Sequence, residues 1–362
     1  MTTSADELAE LRRAVRGTIG AGAPDEAPAI DRGWRASWSA LAELGLAGFC
    51  VPAELGGYGS EVPAAAVAAA ELGADLHAAP YPGIIAAADG LARWLPPAER
   101  GALAADLLSG VHVPGLALLG PTARITTDGT TARVDGRASA VLGAGEVDSY
   151  LVVGSDAMAH VAAGQSRVGA ADGFDESRSC APVHFDGAAG VTVVAPPGGR
   201  DELLGLYGLL CAADALGGAV RCHERTTSYA ADRVAFGRPI GGFQAVQHRL
   251  ADHAVTLRGL TLLCERAAGS LGDGHVDAAR HTLLARLGVG NQVLHLLHDL
   301  LQLTGAVGFT WEYGLHHYER RAWLDARLTG APRSASRALA VHEGWTAHDR
   351  APGRRGDTAW TA

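Results

Sequence analysis

Two arginine side chains flank a break in helical periodicity and could together bind an anion. Arg233 lies in a helix-compatible stretch that extends to Ala235, and Arg238 follows Gly237 in a segment that also contains Pro239. Proline lacks the backbone N–H and glycine is costly to order, so a continuous helix is excluded here. A planar guanidinium can bind a phosphate or carboxylate through two parallel hydrogen bonds. The same spacing also fits a helical hairpin with solvated arginines, because arginines are mostly exposed.

The residues around this break resemble the signature of the acyl-CoA dehydrogenase family, R-x-x-F-G followed by F-Q. The positions that this signature defines are filled here by Arg233, Phe236, Gly237, Phe243 and Gln244. Two further blocks resemble the same family and stand in its order. They are LAELGLAGFCVPAELGGYG at residues 41–59 and QLTGAVGFTWEYGLHHYERRA at residues 302–322. The resemblance covers most of residues 35–330 and is specific for the fold.

The resemblance implies FAD as cofactor, bound between a β-domain and a helical bundle and shared across a subunit interface. The implied contact residues are Arg233, Phe236, Gln244, Gln302, Gly305 and Ala306. Arg233 would meet the pyrophosphate and Phe236 would pack near the adenine. Ala306 stands where the family usually has a second glycine, so its methyl group would crowd a ligand that the backbone must approach. The two commonest nucleotide-binding loops, GxGxxG after a strand and GxxxxGK[ST], are absent.

The family's flavin-contacting runs in the β-domain are also missing from this sequence. Residues 116–145 contain no match to the usual T-E-P and G-S-D runs, and no W-I-T follows them. The contacts that the family makes to the flavin ring and to the acyl thioester are therefore not predicted for this chain.

The catalytic base that the family requires has no obvious counterpart. In the family a carboxylate removes the α-proton of an acyl thioester while the β-hydride passes to the flavin. The two positions where family members place this glutamate hold Tyr207 and Thr329. Neither is a carboxylate, and a phenol has a reference pKa of about 10. The remaining carboxylates nearby are Glu202, Asp214 and Glu312, of which Asp214 follows Tyr207 by two helical turns on the same face. Each also fits a solvated or capping role.

Hydrophobic periodicity predicts three regions of different structure. Helical spacing extends to about residue 110, short β-prone runs with Asp-Gly turns follow, and helical spacing returns after Pro196 and Pro197. We therefore expect an α+β fold like that of acyl-CoA dehydrogenases. Its predicted parts are an N-terminal α-helical domain (1–110), a central antiparallel β-domain (111–197), a C-terminal four-helix bundle (198–340) and a mobile tail (341–362).

Composition narrows the possible partners and compartment. The chain has 362 residues, of which 48% are hydrophobic and 19% are charged, a composition typical of a globular protein. Its net charge of −9 argues against nucleic acid as the main partner. No apolar run is long enough for a membrane span, and no signal-peptide pattern is present. Five scattered cysteines without a CxxC pair predict free thiols in a reducing cytoplasm. His295 and His298 have a metal-compatible spacing but no third ligand, so no metal site is expected.

Several functions fit these observations. The chain could be an FAD-dependent acyl-CoA dehydrogenase active alone, as a homodimer or homotetramer. It could instead be one subunit of an α2β2 heterotetramer whose partner supplies the base, since its FTWE-containing block resembles a bacterial subgroup that forms such assemblies. The missing glutamates favour this second reading. Different thioester chemistry in a secondary-metabolite pathway and a non-catalytic structural role are further alternatives. The acyl group could be carried by CoA or by an acyl carrier protein.

Overall fold

A computed structural model describes residues 4–20, 33–170, 173–330 and 332–345. The N-terminal part is helical: α1 (Ala5–Ile19), α2 (Arg35–Glu43), α3 (Val62–Ala74), α4 (Tyr81–Trp94) and α5 (Pro97–Leu108). A capping box at Ser4 and Glu7 begins α1. Helix α5 begins at Pro97, because proline is favoured in the first turn of a helix.

A seven-stranded sheet forms the middle of the chain, with the strand order β1-β4-β5-β7-β3-β2 and with β6 pairing β7. Its strands are β1 (Pro114–Leu118), β2 (Arg124–Asp128), β3 (Thr131–Leu142), β4 (Ser149–Val153), β5 (Met158–Ala162), β6 (Ser166–Val168) and β7 (Cys180–Val193). The sheet is mixed, because β1 pairs with β4 in parallel while the other pairs are antiparallel. The expectation of an entirely antiparallel sheet is therefore wrong at this one pair.

One predicted turn in the sheet is instead a bulge. The Asp135-Gly136 dipeptide was expected to separate two short strands, but both residues lie inside β3. The register with β7 shifts between Val134 and Gly136, and Gly136 has a φ of +132°. A Cβ on Gly136 would lie 2.2 Å from the Cβ of Ala123. Glycine is needed here because the bulge brings the backbone close to a neighbouring segment.

The C-terminal part is the expected helical bundle. Its helices are α6 (Gly199–Asp232), α7 (Gln244–Gly272), α8 (Ala278–Thr304) and α9 (Leu315–Leu328), and a shorter unpredicted helix α10 (Pro332–His342) packs against α8. A short β-hairpin separates α6 from α7. Its strands are β8 (Val234–Ala235) and β9 (Arg238–Pro239), joined by a two-residue turn. The predicted mobile tail lies outside the described residues from residue 346 onward.

Helix α6 is the central helix of the molecule and packs on α3, α4, α7, α8 and α9. It is long and apolar enough to cross a membrane, but 89% of its most apolar 18-residue window is buried within the protein. Burial on several sides explains why this helix is apolar on most of its surface.

Glycines set the close approach of α3 to α6. A Cβ on Gly217 would lie 1.9 Å from the carbonyl oxygen of Ala70, and one on Gly73 would lie 2.1 Å from that of Asp214. The two backbones are therefore in direct contact, which leaves no room for any side chain at these positions. This contact fixes the position of Asp214 relative to the N-terminal domain.

Substitution of Gly217 by alanine tests this packing. Although alanine gains about 1 kcal/mol of helix propensity over glycine, we expect Gly217→Ala to lower the thermal unfolding midpoint, because overpacking costs about 1–3 kcal/mol and the obstacle is backbone. Gly259→Ala in α7 is the matched control, since nothing lies within 4 Å of its Cβ position, and it should raise the midpoint. An equal rise for both variants would contradict the proposed backbone contact.

Candidate functional site

The R-x-x-F-G segment forms the hairpin between α6 and α7. Phe236 and Gly237 are its two turn residues, with φ values of +53° and +81°. Positive φ at both positions is typical of a type I′ turn, where asparagine or glycine is the usual first residue. Phenylalanine is strained in this conformation, yet its ring is 96% exposed. The turn therefore combines a strained backbone with a large aromatic side chain in solvent.

Other predicted contact residues surround this turn. The Phe243 ring lies 6.3 Å from that of Phe236 at 87°, and the Arg238 guanidinium lies 4.0 Å from the Phe243 ring centroid. Arg233 caps α6, and its exposed guanidinium has no hydrogen bond or ion pair with another described residue. Gln244 begins α7 and is also exposed. The hairpin thus presents a cation, an amide and an aromatic ring to solvent.

The second predicted contact group lies at the end of α8. Gln302, Gly305 and Ala306 are all exposed, and the Gly305 N–H donates to the Gln302 carbonyl. Gly305 has a φ of +64° and nothing within 4 Å of its Cβ position. Ala306 lies in a short 3₁₀ helix (Gly305–Phe309) and its φ is not positive, so alanine is unstrained there.

A buried arginine links the segments that carry these two groups. Arg225 on α6 is 2% exposed, donates from Nη2 to the Tyr313 carbonyl at 2.7 Å and lies 4.5 Å from the Tyr313 ring centroid. The Tyr313 ring also lies 5.9 Å from that of Tyr229, close to the hairpin. Arg225 is not among the residues predicted from the sequence, because nothing in its spacing distinguishes it from other arginines of the helix.

The first family position for the base is buried in the protein core. Tyr207 is 2% exposed and packs among apolar side chains of α4, the sheet and α9. Burial raises the pKa of its phenol well above the ordinary value. It cannot be ionised near neutral pH, which agrees with the sequence-based expectation.

The second family position for the base contacts a cation. Thr329 follows α9, and both its carbonyl and its hydroxyl accept hydrogen bonds from Arg286 Nη2, at 2.9 and 2.6 Å. Burial lowers the pKa of this guanidinium, and no carboxylate among the described residues pairs with it. A Cβ on Gly208 would lie 2.5 Å from Arg286 Cδ, so that glycine leaves space for the arginine. Thus a guanidinium contacts the residue that the sequence resemblance assigns to the second base position.

Between these two positions lies a fully buried network of charges, which we call the Arg178 network. It consists of Asp175, Arg178, Asp214, Arg321 and Asp325, each at most 3% exposed. Arg178 is paired with Asp325, and lies 3.2 Å from Asp175 and 3.5 Å from Asp214. It joins the loop before β7 to α6 and α9.

Arg321 connects this network to the N-terminal domain. It lies 3.5 Å from Asp175 and 3.9 Å from Asp214, and donates to the carbonyls of His77 and Leu76 at 3.0 and 3.2 Å. Leu76 has a φ of +51°, so Arg321 helps hold a strained backbone. All three parts of the fold therefore meet at one set of ion pairs.

The carboxylates of the network differ in their readiness to ionise. Burial is the largest influence on Asp325 and raises its pKa well above the ordinary value, although Arg178 opposes it. Burial also disfavours ionised Asp175, but Arg321 and Arg178 together hold its pKa below the ordinary value. The network sets three carboxylates against two guanidiniums, and the carboxylate of Asp325 lies on α9, one turn before Thr329.

The three carboxylates considered as substitute bases have other roles. Asp214 is 1% exposed and belongs to the Arg178 network. Glu202 lies 2.6 Å from Arg93, which also pairs with Asp89. Glu312 is exposed in the turn before α9. None of the three lines the cavity that contains Thr329. Asp325 is not among the residues predicted from the sequence, although its i,i+4 spacing from Arg321 indicates a shared helix face.

The histidine pair on α8 is not joined by further metal ligands. Asp299, next to His298, is held by Arg249 and by His253, whose Nε2 lies 3.0 Å away. His298 faces Glu319 at 3.7 Å. In the part of the chain that the structure describes, no group of three or more such side chains could hold a metal ion.

The helical, sheet and bundle parts, joined in this order with an exposed R-x-x-F-G hairpin, define an acyl-CoA dehydrogenase fold. The models of the acyl-CoA dehydrogenase N-terminal and C-terminal domains match residues 5–101 and 203–333. The acyl-CoA dehydrogenase IpdE2 of Mycobacterium tuberculosis is 30% identical over 343 residues, which are 93% of this chain and 97% of that protein. The chain therefore belongs to the acyl-CoA dehydrogenase family, whose members are oxidoreductases acting on CH–CH groups.

Solved structures agree with this assignment. The ChsE4–ChsE5 complex of M. tuberculosis contains a chain with a TM-score of 0.80 and 25% identity, over 95% of this chain and 99% of that one. A steroid acyl-CoA dehydrogenase variant, Tcur3481–Tcur3483, has a TM-score of 0.83 at 24% identity, over 94% of this chain and 99% of that one. At this lower identity, the second similarity supports only the assignment of the fold.

Placing a glutamate at residue 329 tests the electrostatic environment of the second base position. We expect Thr329→Glu to pair with Arg286 and to be more stable than Thr329→Gln by about 1 kcal/mol at pH 7. Arg286 depresses the pKa of the new carboxylate, so the advantage is present above its unfolded pKa of about 4.3. The advantage is lost as pH falls through the folded pKa. Chemical denaturation of both variants between pH 3 and 7 measures this difference.

The same pair in an Arg286→Met background is the control. The difference between glutamate and glutamine should disappear there, since the cation is gone. Equal stability of the two variants at pH 7 with Arg286 present would contradict this account of the site.

Proposed function

We propose that this chain is a subunit of an FAD-dependent acyl-CoA dehydrogenase, which desaturates an acyl thioester at its α,β-bond, and that a partner chain supplies the catalytic base. The observation that carries the proposal is the contrast between two regions. The residues expected to contact FAD are exposed. In contrast, the two positions expected for the base hold Tyr207, whose phenol is buried, and Thr329, which is hydrogen-bonded to Arg286.

The exposed residues fit the adenosine diphosphate end of FAD. Arg233 offers an unpaired guanidinium for a pyrophosphate, and Phe236 offers a fully exposed ring for an adenine. The open backbone above Gly305 admits a close ligand approach. A strained and exposed aromatic residue is itself a reason to infer function, because strain persists mainly at binding sites.

The interior of this chain is less suited to the reacting end. The cavity lined by Gly208, Cys211, Arg286, Asp325 and Thr329 has a volume of about 20 Å³, which is room for about one water molecule. The Arg178 network fills the neighbouring space beside Tyr207. A thioester placed there would have to displace buried ion pairs, and breaking such a pair costs about 3–5 kcal/mol.

The division of tasks follows from these properties. When bound, FAD supplies the acceptor for the β-hydride of the acyl thioester. In this chain, Arg233 would hold the pyrophosphate, Phe236 would cover the adenine and exclude water, and Gln244 and Gln302 would donate amide hydrogen bonds. The α-proton would be removed by a carboxylate of the partner, because general-base assistance contributes about 10²–10⁴-fold to the rate.

The resulting assembly is a heterotetramer or a related oligomer, and the acyl group is carried by CoA or by a carrier protein. The likeness to a chain of the ChsE4–ChsE5 complex supports an assembly of two different chains. A cytoplasmic location remains a prediction from the free cysteines, four of which are buried.

Removing Arg233 tests the cofactor contact. We expect Arg233→Ala to weaken FAD binding by about 1.5–3 kcal/mol, roughly a 10- to 150-fold rise in Kd, because a charged hydrogen-bond donor to the pyrophosphate is lost. Flavin absorbance after dialysis of the co-purified complex measures the occupancy. Arg124→Ala, an exposed arginine of β2, is the matched control and should retain flavin. Wild-type occupancy in Arg233→Ala would show that the assignment is wrong.

A further inference from the structure

Three large exposed aromatic rings lie on α9, on the turn before it and on the loop before β7. Phe174 is 55% exposed, Trp311 is 64% exposed and Trp323 is 40% exposed. The rings of Phe174 and Trp323 lie 5.1 Å apart, and the Arg320 guanidinium lies 5.7 Å from Phe174 and 6.0 Å from Trp311. Arg327 lies 3.8 Å from the Trp323 ring centroid. We call these three rings and two arginines the aromatic ledge.

Two rings of the aromatic ledge are carried by residues next to the Arg178 network. Phe174 immediately precedes Asp175 in the chain, and Trp323 lies between Arg321 and Asp325 on α9. In both segments a buried charged residue lies close in sequence to an exposed ring. The ion pairs fix the backbone at Phe174 and Trp323, so little conformational entropy would be lost when these two rings are covered.

The composition of the aromatic ledge is that of a protein–protein contact. Tryptophan and arginine dominate the binding energy of interfaces, and a monomer rarely leaves contiguous large rings in water. The rings are less suited to a planar ligand. Phe174 and Trp323 are tilted by 52° to each other, so they form no parallel slot, and Arg327 already covers Trp323.

The charges of the aromatic ledge indicate the chemistry of its partner. Glu176 lies 3.2 Å from Arg320 and neutralises it. Arg327 donates from Nη1 to the Trp323 carbonyl at 2.9 Å, and no carboxylate among the described residues pairs with it. The ledge thus carries one uncompensated positive charge next to exposed indole. A partner surface that covers it must place a carboxylate opposite Arg327.

We propose that the aromatic ledge is the docking surface for a second, different acyl-CoA dehydrogenase-like chain, which sets a carboxylate against Arg327. This inference rests on the proposed function, since a chain without its own base needs such a partner. The ledge lies on the loop and helix that also carry the Arg178 network, so docking there covers the seam between the sheet and the bundle.

Alanine substitution in the aromatic ledge tests the proposal. The chain is co-expressed with each acyl-CoA dehydrogenase-like chain of its source genome, and the one that co-purifies with the wild type is used as partner. We expect Trp311→Ala and Trp323→Ala each to weaken the complex at least tenfold, as measured by sedimentation or surface binding. Trp345→Ala is the matched control, because this tryptophan is 73% exposed but lies outside the ledge, and should not change the affinity. Circular dichroism checks that each variant is folded.

Charge substitution tests the carboxylate. Arg327→Glu should weaken the complex more than Arg327→Gln, because the introduced glutamate would repel the carboxylate of the partner. The affinity of the wild type should also fall with rising salt concentration. Equal affinities of the glutamate and glutamine variants would contradict a carboxylate at this point of the interface.

The outcomes separate the inference from the proposed function. If no acyl-CoA dehydrogenase-like chain binds the wild type, the proposed function fails. If one binds and both tryptophan variants bind it within twofold of wild type, only the docking surface is wrong. A complex that stays intact but loses flavin would make the ledge a ligand contact and overturn the proposal. Self-association of the wild-type chain through the ledge, in place of binding to a different chain, would also overturn it.

Discussion

The Arg178 network is the interaction on which the rest of the structure depends. Its ion pairs join a loop of the β-domain to two bundle helices, and through Arg321 to the chain after α3. Removing one partner of a buried pair leaves an uncompensated charge, which costs about 3–5 kcal/mol. Such a network is a poor source of net stability but fixes one arrangement of the parts it joins. Here that arrangement closes the interior and positions the exposed rings above it.

The charges near the two base positions are the reverse of what proton abstraction needs. A base must be an unprotonated carboxylate beside the substrate. In this chain the first position is a buried phenol and the second is bonded to Arg286, while burial favours the protonated form of Asp325. The exposed hairpin has the opposite character, because its Arg233 guanidinium pairs with no other described residue and its Phe236 ring lies in solvent. The residues that the resemblance assigns to FAD are therefore exposed, and the two family positions hold no carboxylate.

The sequence contained enough information to predict the fold and the break in helical structure at which the R-x-x-F-G hairpin lies. Local motifs such as R-x-x-F-G carry their own geometry, because glycine and the turn residues determine the backbone. Parallel pairing of β1 with β4 was not predictable, since it depends on contacts between distant segments. The bulge at Gly136 was mistaken for a turn because Asp-Gly favours both. The role of Asp214 was missed for a similar reason, since its partners Arg178 and Arg321 are distant in sequence.

The central claim is that this chain binds part of the cofactor but cannot remove the α-proton by itself. Anaerobic titration with a panel of acyl-CoA thioesters, followed by bleaching of flavin absorbance, tests this claim most directly. The chain is first measured alone after reconstitution with FAD and then as the purified complex with its partner. We expect the chain alone to show slow or no bleaching, and the complex to bleach faster by about 10²-fold or more. Rapid bleaching by the chain alone would contradict the account.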